Sequence, residues 1–258
     1  MIRIDDSTDI LLIKAPVSEF VFSITYCEHK IPFYIQGVKV EREEAEIRKN
    51  VGKEGHIKEE KIEEEKIEKG EIRPIPAIEL PWVLSDPKCD IEFVREEVTT
   101  KLLYATKIDE KDVKLILYGR ADKVSRKGEC LIIEEDKFPS NPSGYAARNK
   151  PFDSYVLQAL TYLNSKFAKK DDGIKFNWFD IPHSRKKWII NIRERNDNNI
   201  IRSFDGMVEE NDKLYLESNL FRFISLIFGN KEKIHHNNIK KCIPCEYSKI
   251  CNYSMVPE

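Results

Sequence analysis

Hydrophobic positions recur along this chain at two different spacings. In VSEFVFSITYCEHKIPFYIQ, residues 17 to 36, apolar residues return at helical intervals behind Ser18 as N-cap and Glu19. That spacing predicts a helical segment holding Cys27. Residues 39 to 69 are dense in Glu and Lys with Ile spaced through them, which predicts a helix, a break near Gly52 and Gly55, and a second helix. The run IKEEKIEEEKIEK places Glu and Lys three or four residues apart, as on a solvated helix face. After a Pro-rich connector at 71–87, strands are predicted over 91–98, 101–107 and 113–119. GRADKVS, a turn at Lys127-Gly128 and the strand ECLIIEEDK follow. The loop FPSNPSGYAARNK then leads to a helix at about 152–168. IKFNWFDI and KKWIINIRE alternate and carry aromatics, which predicts a hairpin, and a long helix is expected over about 199–228. Helices on both sides of a strand block indicate an α/β or α+β fold.

Composition narrows the function. The 258 residues make one large domain or a domain with an elaboration. Charged residues reach 34%, yet the net charge is only -2, so this is not a generic basic nucleic-acid binder. Contact with DNA would have to run through a local basic groove or bound metal ions. No apolar run approaches the ~18 residues of a membrane span. The opening MIRIDDSTDILLIK carries Asp5 and Asp6 and lacks the basic start of a signal peptide, so the cytoplasm is expected. In a reducing compartment, clustered cysteines more often bind metal than pair as disulfides. Three of the six cysteines fall in CIPCEYSKIC, residues 242 to 251. Cys89 and Cys130 stand apart and read as small buried hydrophobes.

Acidic residues on the strands offer a second chemistry. Asp122 ends one segment, and Glu135 sits near the end of the next, two residues before Lys137. Positions i and i+2 of a strand share a face. Two carboxylates and an amine on one face are costly to bury unpaired and make sense around a hard divalent cation, Mg2+ or Mn2+. Alone, acid-x-Lys in a chain with 45 acids and 43 bases reads more readily as a surface salt bridge on exposed strand ends, and Glu134 and Asp136 hold the opposite register, in which one of them would be the ligand if the strand is displaced by one. Gln158 and Tyr162 in YVLQALTYLN share a helix face, and His56 lies in the charged segment.

Taken in order, Cys27, His56, GRAD ending at Asp122, the strand into EDK at 135 to 137, Gln158-x3-Tyr162 and Cys242-x2-Cys245-x5-Cys251 resemble one family. It is the RecB-type, iron–sulfur branch of the PD-(D/E)xK nucleases, and within it the CRISPR-associated RecB-like exonucleases. The resemblance covers residues 18 to 252. It implies a single nuclease domain over 1–258 with a restriction-endonuclease-like core at about 45–230, a central mixed sheet flanked by helices. Cluster-binding elements at about 18–36 and 235–255 would be joined through a [4Fe–4S] cluster held by Cys27, Cys242, Cys245 and Cys251. The same four thiolates would suit tetrahedral Zn2+. The resemblance further implies His56, Asp122, Glu135 and the backbone carbonyl of Asp136 as Mg2+ or Mn2+ ligands and Lys137 as catalytic lysine. Gln158 and Tyr162 would position the lysine or the DNA strand.

The implied reaction is hydrolysis of DNA phosphodiesters at single-stranded ends or overhangs, beside CRISPR integrase proteins, with no membrane partner; a homo-oligomer is admitted. Two departures stand out. Glu28-His29 replaces a common Pro-Arg after the first cysteine, and Phe138-Pro139 replaces Thr-Gly after the lysine, opening a loop with Arg148 and Lys150. Two other readings fit parts of the pattern: a non-catalytic iron–sulfur assembly subunit, and a zinc-stabilised DNA-binding protein that leaves the carboxylates unexplained.

Overall fold

The structure is a computed structural model that describes residues 1–6, 9–40, 43–71, 91–94, 98–139, 141–171, 175–194 and 196–256. Cys89 and the expected connector, from residue 72 on, lie outside the described residues. In chain order the elements are β1 (Arg3–Asp5), β2 (Ile10–Pro16), α1 (Val17–Thr25), a 3-10 turn (Glu28–Lys30), α2 (Ile31–Gln36), α3 (Glu43–Glu68), β3 (Ile91–Val94), β4 (Val98–Ile108), β5 (Lys111–Ala121), β6 (Lys123–Lys127), β7 (Cys130–Lys137), α4 (Ser143–Ala146), α5 (Asp153–Leu163), β8 (Lys166–Asp171), β9 (Lys175–Phe179), β10 (Arg185–Arg193), β11 (Ile200–Met207), α6 (Glu210–Phe228) and α7 (Ile239–Cys242). Helices and mixed strand pairing make this an α/β fold. The chain divides into two compact units, one of Met1–Lys49, Leu102–Tyr118 and Lys213–Glu258, the other of Asn50–Lys101 and Gly119–Asp212.

In the first unit β2 pairs with β1 antiparallel and with β5 parallel. Period-two alternation buries Leu11, Ile13 and Ala15 on β2 and Val113, Leu115 and Leu117 on β5. The opening residues are thus strands, a role the sequence reading did not assign them. Helix α1 starts at Val17 with Pro16, not Ser18, at the N-cap and no side-chain capping bond. Pro16 is extended (φ -62, ψ 144), so the strand runs straight into the helix. The helical pattern over 17–36 is also broken at Cys27, which is extended (φ -162, ψ 117) between α1 and the 3-10 turn. Phe20 of α1 meets Phe223 of α6 edge to face at 5.3 Å.

The second unit is built on a five-stranded sheet in the order β11-β10-β7-β6-β3. Here β10 and β7 are parallel and the other pairs antiparallel. This overturns the expected hairpin between 174–181 and 186–194. Strand β9 instead pairs with β8, Trp178 opposite Ala168, while β10 lies between β7 and β11. The reason is burial: Ile190, Asn191, Ile192 and Arg193 are all buried, so β10 needs neighbours on both edges and cover on both faces. Parallel pairing with β7 needs a long crossover, which residues 138 to 184 supply.

The long helix expected over 199–228 is also corrected. Residues Ile200–Met207 form β11, and helix α6 begins only at Glu210. Asn198, in the left-handed region at φ 59, turns β10 back into β11. Gly206 lies opposite Trp188, whose ring occupies the space that a β-carbon would fill, at 2.5 Å. The predicted break at Gly52 and Gly55 does not occur, because α3 is continuous from Glu43 to Glu68. Gly55 instead lets the helix approach the ring of Phe138, which a β-carbon would meet at 2.5 Å.

Part of the expected solvated face of α3 is buried and ionic. Glu59 and Glu63 are only 5% and 3% exposed. The ammonium of Lys123 lies 2.9 Å from Glu63 and 3.2 Å from Asp136. Arg193 bridges Asp136 at 2.7 Å and Glu59 at 3.0 Å. These pairs fix α3 on the sheet by charge where apolar packing is sparse. Because removing one partner strands a buried charge, Arg193→Met is expected to lower unfolding free energy by about 3–5 kcal/mol. Lys166→Met, at the exposed pair with Asp180, should change it by less than about 1 kcal/mol. Urea unfolding of both variants checks the contrast, and equal small losses would refute the structural role of the network.

Candidate functional site

Strand β7 sorts its side chains by alternation. Leu131, Ile133, Glu135 and Lys137 share one face, and Glu134 and Asp136 take the other. Glu135 thus continues an apolar row and is completely buried. Lys137 Nζ donates to Glu135 Oε2 at 2.7 Å and to Gln158 Oε1 at 3.2 Å. Gln158 Nε2 donates to the Tyr162 hydroxyl at 3.2 Å. Helix α5 makes this possible: Leu157, Leu160 and Thr161 are buried, and the four-residue step aligns Gln158 with Tyr162. The structure therefore brings together four of the residues singled out in the sequence.

Asp122 sits between β5 and β6. Its Oδ2 accepts the backbone N–H of Asp136 at 3.0 Å, and its own N–H donates to Glu135 Oε1 at 3.3 Å. Burial, and then the charge of Asp122, raise the Glu135 carboxyl to about 7 in spite of Lys137. Burial alone would discharge Lys137, but Glu135 and Asp122 overcome it and hold the amine above its ordinary range. Lys137 is thus an ammonium at neutral pH and has no lone pair with which to deprotonate water. A fully buried carboxylate with a second one beside it is a donor set suited to a hard cation.

The opposite face of β7 carries the ionic network. Asp136 is held by Arg193, Lys123 and Asn191, the last at 3.2 Å. A ligand role through its backbone carbonyl does not compete with these contacts. Beside the network lies a cavity of about 470 Å³ lined by His56, Glu59, Asp122, Lys123 and Asp136 among others. His56 is half-buried, edge-on to Phe138 at 5.1 Å. Lys123, Arg193, Glu59 and Glu63 were not foreseen as part of this region. Each reads in sequence as one more surface charge, and only the sheet register reveals their burial.

The thiols gather in the first unit. Cys27 and Cys242 are buried, Cys245 and Cys251 are half-buried, and none is in a disulfide. Burial pushes the Cys27 thiol up, and the nearby Cys245 and Cys251 add to it, while the His29 backbone and Lys30 pull it down. Thiols kept neutral in this way would lose their protons only to a bound metal, whose charge offsets the repulsion between thiolates. Two residues that sequence reasoning left unnamed join them. Nε2 of His235 and of His236 each lie 3.8 Å from Cys242 Sγ, and both imidazoles come within 4.8 Å of Cys27 Sγ. Burial, then His235 and Lys241, lower His236 to about 4, leaving a neutral imidazole able to bind metal. The available signal was the His-His pair six and seven residues ahead of Cys242. Glu28 aligns the set, accepting from Arg222 Nη2 at 2.8 Å and from the backbone of Ile234 at 2.6 Å. Cys130, expected to be buried, is only half-buried at the start of β7, where it opposes the end of β6 at the turn.

The sign of the Glu135 shift sets a pH dependence. Its folded value, about 7, exceeds the ordinary 4.5, so the folded chain holds an extra proton between those pH values. The contribution of this group to stability therefore falls as pH rises through that window. A cation at the site must displace the proton, so Mg2+ or Mn2+ affinity is expected to rise about tenfold per pH unit up to pH ~7 and then level off. Calorimetric titration of the wild type and of Glu135→Gln checks this; the variant should show no such slope.

No family model matches this chain, and no curated protein matches it. Among solved structures, a Sulfolobus protein described as "Crystal structure of SSO0001" aligns at 15% identity over 94% of this chain and 88% of that one, with a TM-score of 0.47. A likeness of that strength bears on neither the fold nor the activity of this chain.

Proposed function

We propose that this protein is a metal-dependent DNA exonuclease that hydrolyses phosphodiesters at single-stranded ends or overhangs, and that it processes DNA for CRISPR spacer acquisition beside integrase proteins. The observation that carries the reading is the buried relay Glu135–Lys137–Gln158–Tyr162, with Asp122 hydrogen-bonded to the same carboxylate. A structural ion pair would account for the lysine and for the glutamine that satisfies it, but not for Asp122, whose charge opposes ionisation of the same buried carboxyl. Asp122 and Glu135 would hold Mg2+ or Mn2+, with the Asp136 carbonyl and His56 as the further groups the resemblance implies. The ion, when bound, would lower the pKa of its water and neutralise a phosphate oxygen. Lys137 holds Glu135 in place and presents positive charge to the phosphate. Gln158 fixes the lysine, and Tyr162 fixes the glutamine. For the thiol group, Cys27, Cys242, Cys245 and Cys251 are proposed to hold a [4Fe–4S] cluster that ties the start and end of the chain together.

A second reading is a non-catalytic assembly subunit, in which Glu135 and Lys137, 2.7 Å apart, serve as a structural ion pair. End-labelled single-stranded DNA, incubated with and without Mn2+, separates the two. The wild type should shorten the DNA only with metal. Lys137→Ala and Glu135→Gln should each lose about a hundredfold or more in rate while remaining folded. Full activity in both variants would sink the site assignment, and an inactive, folded wild type would select the assembly subunit. Anaerobically purified protein should be brown with roughly four irons per chain, and Cys245→Ala should be colourless; zinc in place of iron would discard the cluster.

A further inference from the structure

Next to the Lys137 relay the second unit carries aromatic rings that the proposed chemistry does not use. Tyr155 lies on α5 with its ring centre 5.6 Å from Lys137 Nζ. Tyr145 of α4 stacks on it, rings 13° from parallel at 6.4 Å, and the two hydroxyls meet at 3.2 Å. Phe152 stands edge-on to both rings, at 5.1 Å from Tyr145 and 5.9 Å from Tyr155. The guanidinium of Arg148 lies over the Phe152 ring at 3.9 Å, and its Nε donates to the Lys150 carbonyl at 3.2 Å.

These rings differ in what holds them. Tyr145 and Tyr155 pack against the core residues Ile190, Ile192 and Phe204, so they form a fixed floor. Phe152 is 39% exposed although it is apolar, and Lys150 is exposed. A core cluster would cover Phe152 and would not place a guanidinium 3.9 Å over its ring. Rings and guanidinium planes that end in solvent, with cations alongside, are what unpaired bases and their phosphates require. Asp153, next in sequence, is exposed and is the acid nearest along the chain to the patch. Bases of a duplex are already stacked and cannot use such a surface.

We propose that Phe152 and Arg148, on the floor of Tyr145 and Tyr155, form a base-stacking platform that seats a single-stranded DNA end beside Lys137. This rests on the nuclease reading for its substrate, but stacking itself needs no catalysis. Phe152 and Arg148 act here in binding and specificity, and a lost platform raises KM more than it lowers kcat.

The test is anisotropy of a labelled oligothymidylate, an abasic oligomer of equal length and a blunt duplex, each titrated with the full chain in buffer without Mg2+ or Mn2+. The wild type should bind oligothymidylate at least about tenfold tighter than the abasic strand and the duplex. Phe152→Ala should erase that preference and leave the affinity for the abasic strand unchanged, and Phe152→Tyr should restore it. Equal binding of the three ligands by the wild type would overturn the platform, as would an undiminished preference in Phe152→Ala. Adding Mn2+ separates this inference from the nuclease reading. Base-dependent binding without cleavage keeps the platform and discards the nuclease, whereas cleavage without base-dependent binding does the reverse.

Discussion

A carboxylate cannot lie fully buried in an apolar row unless something beside it carries the opposite charge or a proton. Glu135 meets both conditions. Lys137, two residues along the same strand face, reaches it at 2.7 Å, and the carboxyl is raised to about 7 by burial and by Asp122. The remaining arrangement around β7 follows from this constraint. Lys137 needs a second acceptor, and Gln158 on α5 supplies it. Gln158 in turn is set by Tyr162, which burial keeps protonated above its ordinary range. The buried pair therefore dictates how α5 must meet the sheet.

The other face of the same strand meets the same difficulty with a different solution. Asp136 is 2% exposed and lies among Lys123, Arg193 and Asn191. The two cations hold its carboxyl below the usual range even though burial pushes it up. Glu59 and Glu63 of α3 complete that network, so a helix with little apolar surface is still anchored. One strand thus presents a buried carboxyl paired with a single lysine on one side and an ionic network of two cations on the other. The Asp136 side chain is engaged by two cations and an amide, whereas Glu135 is held by one ammonium and one backbone N–H.

In the first unit the corresponding constraint is the thiol group. Buried thiols whose charges would repel one another gather with two imidazoles, and Lys30 sits nearby among the rings of Phe22, Tyr26, Tyr34 and Tyr247 while pairing with Glu246 at 3.1 Å. Aromatic contacts hold the tail to α2 independently of any metal, as in the stack of Phe33 on Tyr247 at 4.4 Å. The proposed cluster would then join segments that packing already brings near one another.

Much of the candidate site was legible in the sequence because its spacings are local. The two-residue step from Glu135 to Lys137 and the four-residue step from Gln158 to Tyr162 are fixed by strand and helix geometry wherever those elements pack. The alternation in β7 and the start of the helix expected at 152–168 were legible for the same reason, but that helix ends at Leu163 and β8 begins at Lys166. What no local pattern carries is partnership between distant segments. KKWIINIRE announces a strand, but not that it would join β7 in parallel; the dense Glu/Lys run announces a helix, but not that Glu59 and Glu63 would be buried beneath it. His235 and His236 become neighbours of Cys27 only when chain ends some 200 residues apart are brought together. The sequence by itself determined the local faces of elements such as β7 and α5, because backbone periodicity is short-ranged, whereas the strand identity of Ile200–Met207 was decided by its pairing with β10. Tertiary structure alone decided which charges were buried and which ligands converged, because desolvation and pairing depend on residues far away in the chain.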